Sequence, residues 1–325
     1  MRRREFIALM GATVTWPFAA MAQETGRTYR LGLLQPVPSD TPPLIAFLDE
    51  LRSFGFIEGQ NLIVEYRDFG AHPELISKFA ADLVSAGVDA IGTAGDPGIR
   101  AAQEATRTIP IIGFTDDLAG SGFVTSIARP NGNITGVNLL SAELNGKRQE
   151  ILIDAVPGVR LMAALADTND NATSPEKLRA LQVAARERNV ELSIHQIGRG
   201  EEIAAAIDAV KASRATALNV LSSPILYTNR RLIMDRVAAI RLPAIYQFPE
   251  QAEEGGFIGY GPNIIQISRE ITSRLLAKVL RGTKVPDIPV EQPTKFELWI
   301  NLKIAKAMGV TVPEALLVRA DKVIE

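Results

Sequence analysis

Short apolar runs rich in β-branched residues recur along this chain and alternate with helical stretches, and that alternation limits the possible folds more than any other feature. The runs lie at Tyr29–Leu34, Leu62–Tyr66, Val88–Gly92, Ile109–Phe114, Leu161–Ala166, Glu191–Ile197, Ala217–Leu221 and Leu242–Tyr246. Most are continuously apolar, so both faces of each strand are buried, as a parallel sheet covered by helices requires. Between them, Leu75, Phe79 and Leu83 recur at spacing four ahead of Gly87, and Leu178, Leu181 and Ala185 follow Ser174-Pro175. A further helix is predicted from Asn263 to Arg281, with Ile264, Ile267, Ile271, Leu275 and Val279 on one face and Gly282 at its end. The pattern predicts an α/β fold of doubly wound parallel sheets with right-handed crossovers.

At 325 residues the chain exceeds the ~250–300 at which a single core stops growing. The βα units before Ile127 and after Arg160 follow one plan, which predicts two lobes of similar topology joined by crossover hinge strands. The boundaries expected are 27–138 plus 262–290 for the first lobe and 139–261 plus 291–325 for the second. Three joints fit them: Ile134–Leu140, the glycine-rich Gly255–Pro262, and the proline-punctuated Val290–Ile300. Small residues at such joints absorb a hinge rotation; glycine-rich turns are the plainer reading.

Residues 1–22 are set apart from the fold. Arg2, Arg3 and Arg4 precede an apolar stretch that ends at Ala20-Met21-Ala22, the three parts of a secretory signal, and Arg3-Arg4-Glu5-Phe6-Ile7 resembles the twin-arginine type. Gly11, Thr13, Thr15 and Pro17 keep the stretch short of the ~20 apolar residues of a membrane span. Cleavage after Ala22 is expected, giving a periplasmic protein that starts at Gln23. Removing Met1–Ala22 takes three Arg and one Glu, leaving 32 basic against 36 acidic residues, a net charge of -4 over 303 residues. With no basic excess, nucleic acid is not an expected partner. The absence of cysteine excludes disulfide scaffolds, thiol nucleophiles and thiolate metal sites, and only His72 and His195 exist for imidazole chemistry. Neither a metal nor a cofactor is expected. Nothing matches GxSxG, a P-loop, HExxH or GxGxxG.

In an open α/β sheet ligands bind beyond the carboxyl ends of the strands, which directs attention to the strand-to-helix loops. Thr41-Pro42, Asp96-Pro97, Ser174-Pro175 and Ser223-Pro224 each read as an N-cap followed by proline at the first helical position. Several helix starts around one cleft would receive a carboxylate; the same pairs also serve simply as good caps. The candidate ligand-binding residues are Gln35, Thr93, Ala94, Gly95, Asp117, Thr168, Asn169, Asn171, Ser174, Ser222, Ser223, Tyr246 and Tyr260. Asp117 suits an ammonium group. Tyr246, Phe248 and Tyr260 are the aromatics at strand ends, able to stack on a planar ligand or to pack a hinge. Asp116 and Asp117 are adjacent in sequence and do not face each other across a bond as glycosidase carboxylates do. No catalytic residue is nominated.

Several separated blocks resemble the ABC-transporter substrate-binding protein family of the type I periplasmic-binding class, which includes tryptophan- and aromatic-amino-acid-binding relatives. They are the leader Arg2-Arg3-Arg4-Glu5-Phe6-Ile7, Gly55-Phe56-Ile57-Glu58-Gly59-Gln60-Asn61 with Glu65-Tyr66-Arg67, Ile127 through Gly136, Tyr260-Gly261-Pro262, and Gln292 through Leu298 with Asn301-Leu302-Lys303 and Gly309 through Pro313. The resemblance implies a non-enzymatic receptor whose two lobes close on a small molecule and present it to an ABC permease in the inner membrane. It ranks aromatic amino acids first among ligands, within a wider class of amino acids and small carboxylates. A monomer is expected. A periplasmic sensor that serves a signalling partner and an α/β enzyme are the alternatives. The chain departs from the family pattern at Asp116-Asp117-Leu118, at Asp167 to Asn171 and at Ser222 to Tyr227, the places where specificity would be set.

Overall fold

Five strands build the first sheet: β1 (Tyr29–Gln35), β2 (Leu62–Asp68), β3 (Ala90–Ala94), β4 (Ile111–Thr115) and β5 (Ile134–Asn138). Their order is β2-β1-β3-β4-β5 and every pair is parallel. The computed structural model describes residues 26–70, 72–169 and 173–325; the leader expected at 1–22 and the candidate Asn171 lie outside the described residues. Helices α1 (Pro42–Ser53), α2 (Ile76–Ser85) and α3 (Gly95–Ala105) follow the first three strands. Apart from the edge strand β2, which is only partly buried beyond Leu62, these strands bury both faces, as their continuous apolar runs predict. Leu31, Leu33, Ile112 and Val137 pack beneath α1, while Leu34, Ile91, Ile111 and Ile134 pack on the other face with α2 and α3.

The second sheet begins after α4 (Ser141–Ala155). Its elements are β6 (Leu161–Asp167), α5 (Pro175–Glu187), β7 (Glu191–Ile197), α6 (Ile203–Ala212), β8 (Ala217–Val220), α7 (Pro224–Thr228), α8 (Arg230–Ala239), β9 (Ala244–Tyr246), α9 (Glu250–Glu253) and β10 (Ile258–Gly261). The chain then returns to the first sheet as α10 (Ile264–Ile267), a π-helical turn (Ser268–Thr272) and α11 (Ser273–Leu280) in unbroken succession. Asn263 caps this run by accepting from Gln266 N at 2.9 Å, and Gly282 beyond it adopts φ +89°. The end of the chain rejoins the second lobe as β11 (Glu297–Asn301), α12 (Leu302–Met308), α13 (Glu314–Leu317) and β12 (Lys322–Ile324). Strand order there is β12-β11-β10-β9-β8-β6-β7, parallel throughout except for the antiparallel β10–β11 pair.

The chain thus passes between the sheets at 139–140, at 262–263 and at 292–296. The third passage leaves from the edge of the first sheet, where Asn138 N donates to Glu291 O at 2.9 Å and Glu291 N donates to Gly136 O at 2.9 Å. Backbones crowd here: a Cβ on Gly136 would stand 1.8 Å from Gly113 O.

Candidate functional site

The strands of the first sheet alternate their side chains, and this puts Leu33, Gly92, Ile112 and Phe114 side by side under α1 near the carboxyl edge. They floor a chamber roofed by Leu44 and Phe47 of α1 and by Ile264, Ser268 and Thr272 of the long returning helix. Its volume is about 160 Å³, on the order of the ~150 Å³ apolar cavity that accepts one benzene ring. Glycine at position 92 keeps the floor low, since a Cβ there would lie 2.9 Å from Leu33 Cδ2.

The mouth of the chamber opens between the two lobes. From the first come Gln35, Thr93, Ala94, Gly95 and Asp116; from the second come Ser222, Ser223, Pro224, Tyr227, Gln247 and Phe248. The second-lobe polar groups are bonded to one another. Ser222 Oγ donates to Gln247 Oε1 at 2.8 Å, Ser223 N donates to the same oxygen at 3.2 Å, and Ser223 Oγ donates to Asp167 Oδ2 at 2.8 Å. Beneath them lies Arg148, whose guanidinium is wholly buried. It donates to Tyr260 O at 2.7 Å, Gln247 O at 2.9 Å, Asn145 Oδ1 at 2.9 Å and Ser141 O at 3.2 Å. Burial pulls its pKa down to about 9, while the Asp116 carboxylate pushes it up. Tyr227 meets Phe248 edge-on with centroids 5.4 Å apart, and the Arg230 guanidinium sits 4.4 Å above its ring, paired bidentately with Glu254. Burial pushes the Tyr227 phenol well above its ordinary pKa.

On the first-lobe side the polar groups are less engaged. Gln35 Nε2 donates to Gly92 O at 3.2 Å; the hydroxyls of Thr93 and Thr272 have no partner but are buried within the wall, that of Thr93 lying against Gly98 of α3. Asp116 is the sole charged side chain lining the cavity among the described residues. Its strand-end neighbour is β3, because Ala94 pairs in register with Phe114, so Thr93 and Asp116 sit on adjacent strand ends.

Of the residues nominated from the sequence, Gln35, Thr93, Ala94, Gly95, Ser222 and Ser223 come together around this cavity. Asp117 is turned away, accepting from Ala119 N at 3.0 Å, and Asp116 takes the place on the wall. Thr168 and Asn169 bond the carbonyls of Ile197 and Gly198 within the second lobe. Ser174 starts α5 away from the wall, Tyr246 is buried in the second-lobe core, and Tyr260 offers its carbonyl to Arg148 while its ring packs inside the lobe. Of the expected ring of capped helix starts, those at Thr41, Gly95 and Ser223 reach the cavity wall and that at Ser174 does not. Ser223 alone of the four caps its helix, accepting from Ile225 N and Leu226 N at 3.1 and 3.3 Å; Thr41 and Ser174 make no such bond. Asp96 falls inside α3, because the helix begins at Gly95, and its carboxylate accepts from the hydroxyls of Ser121 and Thr115. Helix α1 begins Pro42-Pro43, which withholds two N–H groups from any anion. The sequence reasoning missed Tyr227, Gln247, Ser141 and Thr272. For Asp116 a signal was present: Ile112, Phe114 and Asp116 share one face by period-two alternation.

The family profile of the ABC transporter substrate binding proteins matches residues 41–324. The tyrosine-binding protein of Clostridioides difficile (strain R20291) is 24% identical over 265 residues, which span 81% of this chain and 75% of that one. Among solved structures, a conserved domain protein from Vibrio cholerae O1 biovar eltor superposes with a TM-score of 0.81 at 23% identity, covering 91% of this chain and all of that one. The ABC domain from Streptococcus pneumonia in complex with L-Trp gives 0.80 at 22% identity, with 91% and 100% coverage.

Proposed function

The chain belongs to the ABC transporter substrate binding protein family, and from that premise we propose that it captures a free amino acid with an aromatic side chain and delivers it to an ABC permease. The observation that carries this reading is Asp116, the one charged side chain on the cavity wall among the described residues, set near the start of α3 at the mouth of an apolar chamber. Asp116 takes the ligand ammonium. The N-terminus of α3 at Gly95 takes the neighbouring carboxylate, and the chamber takes the ring. Tyrosine binding in one relative and a tryptophan complex in another support the choice of side chain.

Proteins of this family act outside the cytoplasm and bind their substrate without converting it; among the described residues no helix is long and apolar enough to cross a membrane. In this reading the leader is removed after Ala22, the receptor works as a periplasmic monomer, and the ligand leaves chemically unchanged. Calorimetric titration tests the proposal on exported protein, stripped of carried-over ligand by unfolding and refolding, against amino acids, sugars, nucleosides and small carboxylates. Binding confined to aromatic amino acids, with the bound compound recovered intact and Gln23 as first residue, is the expected result. Asp116→Asn weakens binding by about tenfold or more, the worth of a charge-assisted hydrogen bond, whereas Asp117→Asn leaves it within about twofold. A hit confined to sugars or nucleosides, or equal losses in the two variants, overturns it.

A further inference from the structure

Beside the chamber, and divided from it by Pro43, Tyr227, Phe248 and Ile264, lies a second, smaller crevice between the lobes. The first lobe walls it with Pro42, Pro43 and Ile265, the second with Tyr227, Glu250 and Glu254. Its volume of about 20 Å³ admits little more than one water molecule. Glu250 spans this seam. It stands on α9 of the second lobe, yet its Oε1 accepts from Ile265 N at 3.2 Å, at the start of the helix that returns to the first lobe.

The groups around Glu250 leave its charge uncompensated. Glu254 is paired with Arg230 of α8 at 2.5 and 3.0 Å. Glu297 of β11 is paired with Lys295 at 2.6 Å and accepts from Trp299 Nε1 at 3.0 Å. Glu253, on the outer side of α9, is paired with Lys322 of β12. Helices α1 and α10 bring only proline and isoleucine to the crevice, and α7 brings the phenol of Tyr227, which burial keeps neutral. Glu250 itself has no cation partner among the described residues, and its second oxygen is buried without a hydrogen bond. Burial without a cation favours the protonated form of a carboxyl. It pushes the Glu250 pKa from 4.5 up to about 7; backbone N–H groups oppose the shift and the Glu297 charge adds to it.

We infer that Glu250 couples closure of the lobes to uptake of a proton, so that the receptor holds its ligand more tightly in acid and releases it as the pH rises. The inference rests on the receptor reading above and adds a regulation of the same site. When the lobes part, Pro42, Pro43 and Ile265 withdraw from the crevice, water reaches the carboxyl, and its proton leaves in the ordinary carboxylate range. The closed, liganded form therefore holds more protons than the open one between about pH 4.5 and 7. Affinity falls as pH rises through that window and levels off above it. An amino acid keeps both of its charges across the window, because its carboxyl ionises below it and its ammonium above. His195 lies on the edge strand β7, away from the seam.

Calorimetric titration of the stripped protein with L-tyrosine, L-phenylalanine and L-tryptophan from pH 5 to 8, in pairs of buffers of different ionisation enthalpy, reads both the affinity and the protons taken up. The wild type takes up about half a proton or more at pH 6 and binds about tenfold or more tighter at pH 5 than at pH 7. Glu250→Gln, which keeps the shape and cannot ionise, takes up none and binds within about twofold across that range. An affinity flat with pH in the wild type, release of protons in place of uptake, or a pH dependence that survives in Glu250→Gln overturns this inference and leaves the amino-acid reading intact. If none of the three binds at any pH, the amino-acid reading fails, and the same titration with whichever compound of the wider panel binds decides this one; no binder at all overturns both. The wild-type proton count at pH 6 decides alone if the variant does not fold.

Discussion

Glu250 is a carboxyl with one oxygen bonded and one stranded: Oε1 accepts from Ile265 N at 3.2 Å, while Oε2 is buried without a partner. It lies at the seam between α9 and the start of α10. Burial pushes its pKa from 4.5 up to about 7; hydrogen bonds from backbone N–H groups, those of Ile265 and Ile264 among them, work against that shift, and the Glu297 charge adds to it. Nearby Glu254 is already paired with Arg230. Because the folded pKa is the higher one, the native state holds more protons than the unfolded chain between about pH 4.5 and 7. Stability therefore falls as pH rises through that window and levels off above it. Glu250→Gln should remove most of this slope and stabilise the protein at pH 8 by up to about 3 kcal/mol, less the cost of an unpaired amide N–H. Urea unfolding of both proteins from pH 5 to 8 measures it, and parallel curves would sink the idea. His195, pulled below 6.5 by burial, acts in the opposite sense but is common to both proteins and cancels in the difference.

At the scale of elements the strands were legible because parallel strands buried on both faces leave a continuous apolar run, which no amphipathic helix reproduces. Their ends shift by a residue or two for local reasons: the run at Ile109 becomes β4 only from Ile111, since Pro110 has no N–H to give the ladder. The π turn was half legible. Ile267, Ile271, Leu275 and Val279 repeat every four residues, ahead of the 3.6-residue turn, and one inserted residue absorbs the mismatch. The chamber was not legible, because its floor belongs to several strands, its roof to helices more than 200 residues apart in sequence, and its mouth to the other lobe. Asp117 was preferred to Asp116 for want of the strand end that fixes which of two adjacent carboxylates faces inward. Gly136 gives the test proper to this scale. Its missing Cβ lets β5 approach the Gly113 carbonyl of β4, so Gly136→Ala must push the strands apart at the lobe's edge. A loss of roughly 2–4 kcal/mol in urea unfolding is expected, against under about 0.5 for Gly146→Ala, whose Cβ meets only Leu181 Cδ2 at 3.9 Å. Equal effects at the two sites would show that the β4–β5 approach is not the constraint.

For the whole molecule, the passages between the lobes and the cavity between them are physically connected. Arg148 binds the carbonyl of Ser141 beside the first passage and that of Tyr260 ahead of the second, while Asp116, whose charge acts on it, lines the cavity in the other lobe. Arg274 grips Glu291 bidentately at 2.9 and 2.6 Å where the third passage leaves the sheet. Across the mouth the lobes touch through α7: Thr228 Oγ1 donates to Pro36 O at 3.0 Å, and a Cβ on Gly95 would stand 3.0 Å from Pro224 Cγ. None of these α7 contacts requires the ligand's polar head, yet all need the lobes together, so they belong to the closed arrangement and not to recognition. Their loss should free a captured ligand sooner without slowing its arrival, because the encounter precedes closure while escape requires its reversal. Thr228→Val is therefore expected to raise the dissociation rate of L-tyrosine by about two- to tenfold, a single neutral hydrogen bond, with association unchanged in stopped-flow fluorescence. Small-angle scattering gives the independent reading: the radius of gyration falls on saturation with L-tyrosine, and in Thr228→Val it falls to the same value once saturation is reached. An association rate that drops while dissociation holds would mean that Thr228 meets the ligand before the lobes meet each other, and α7 would then be part of the recognition surface.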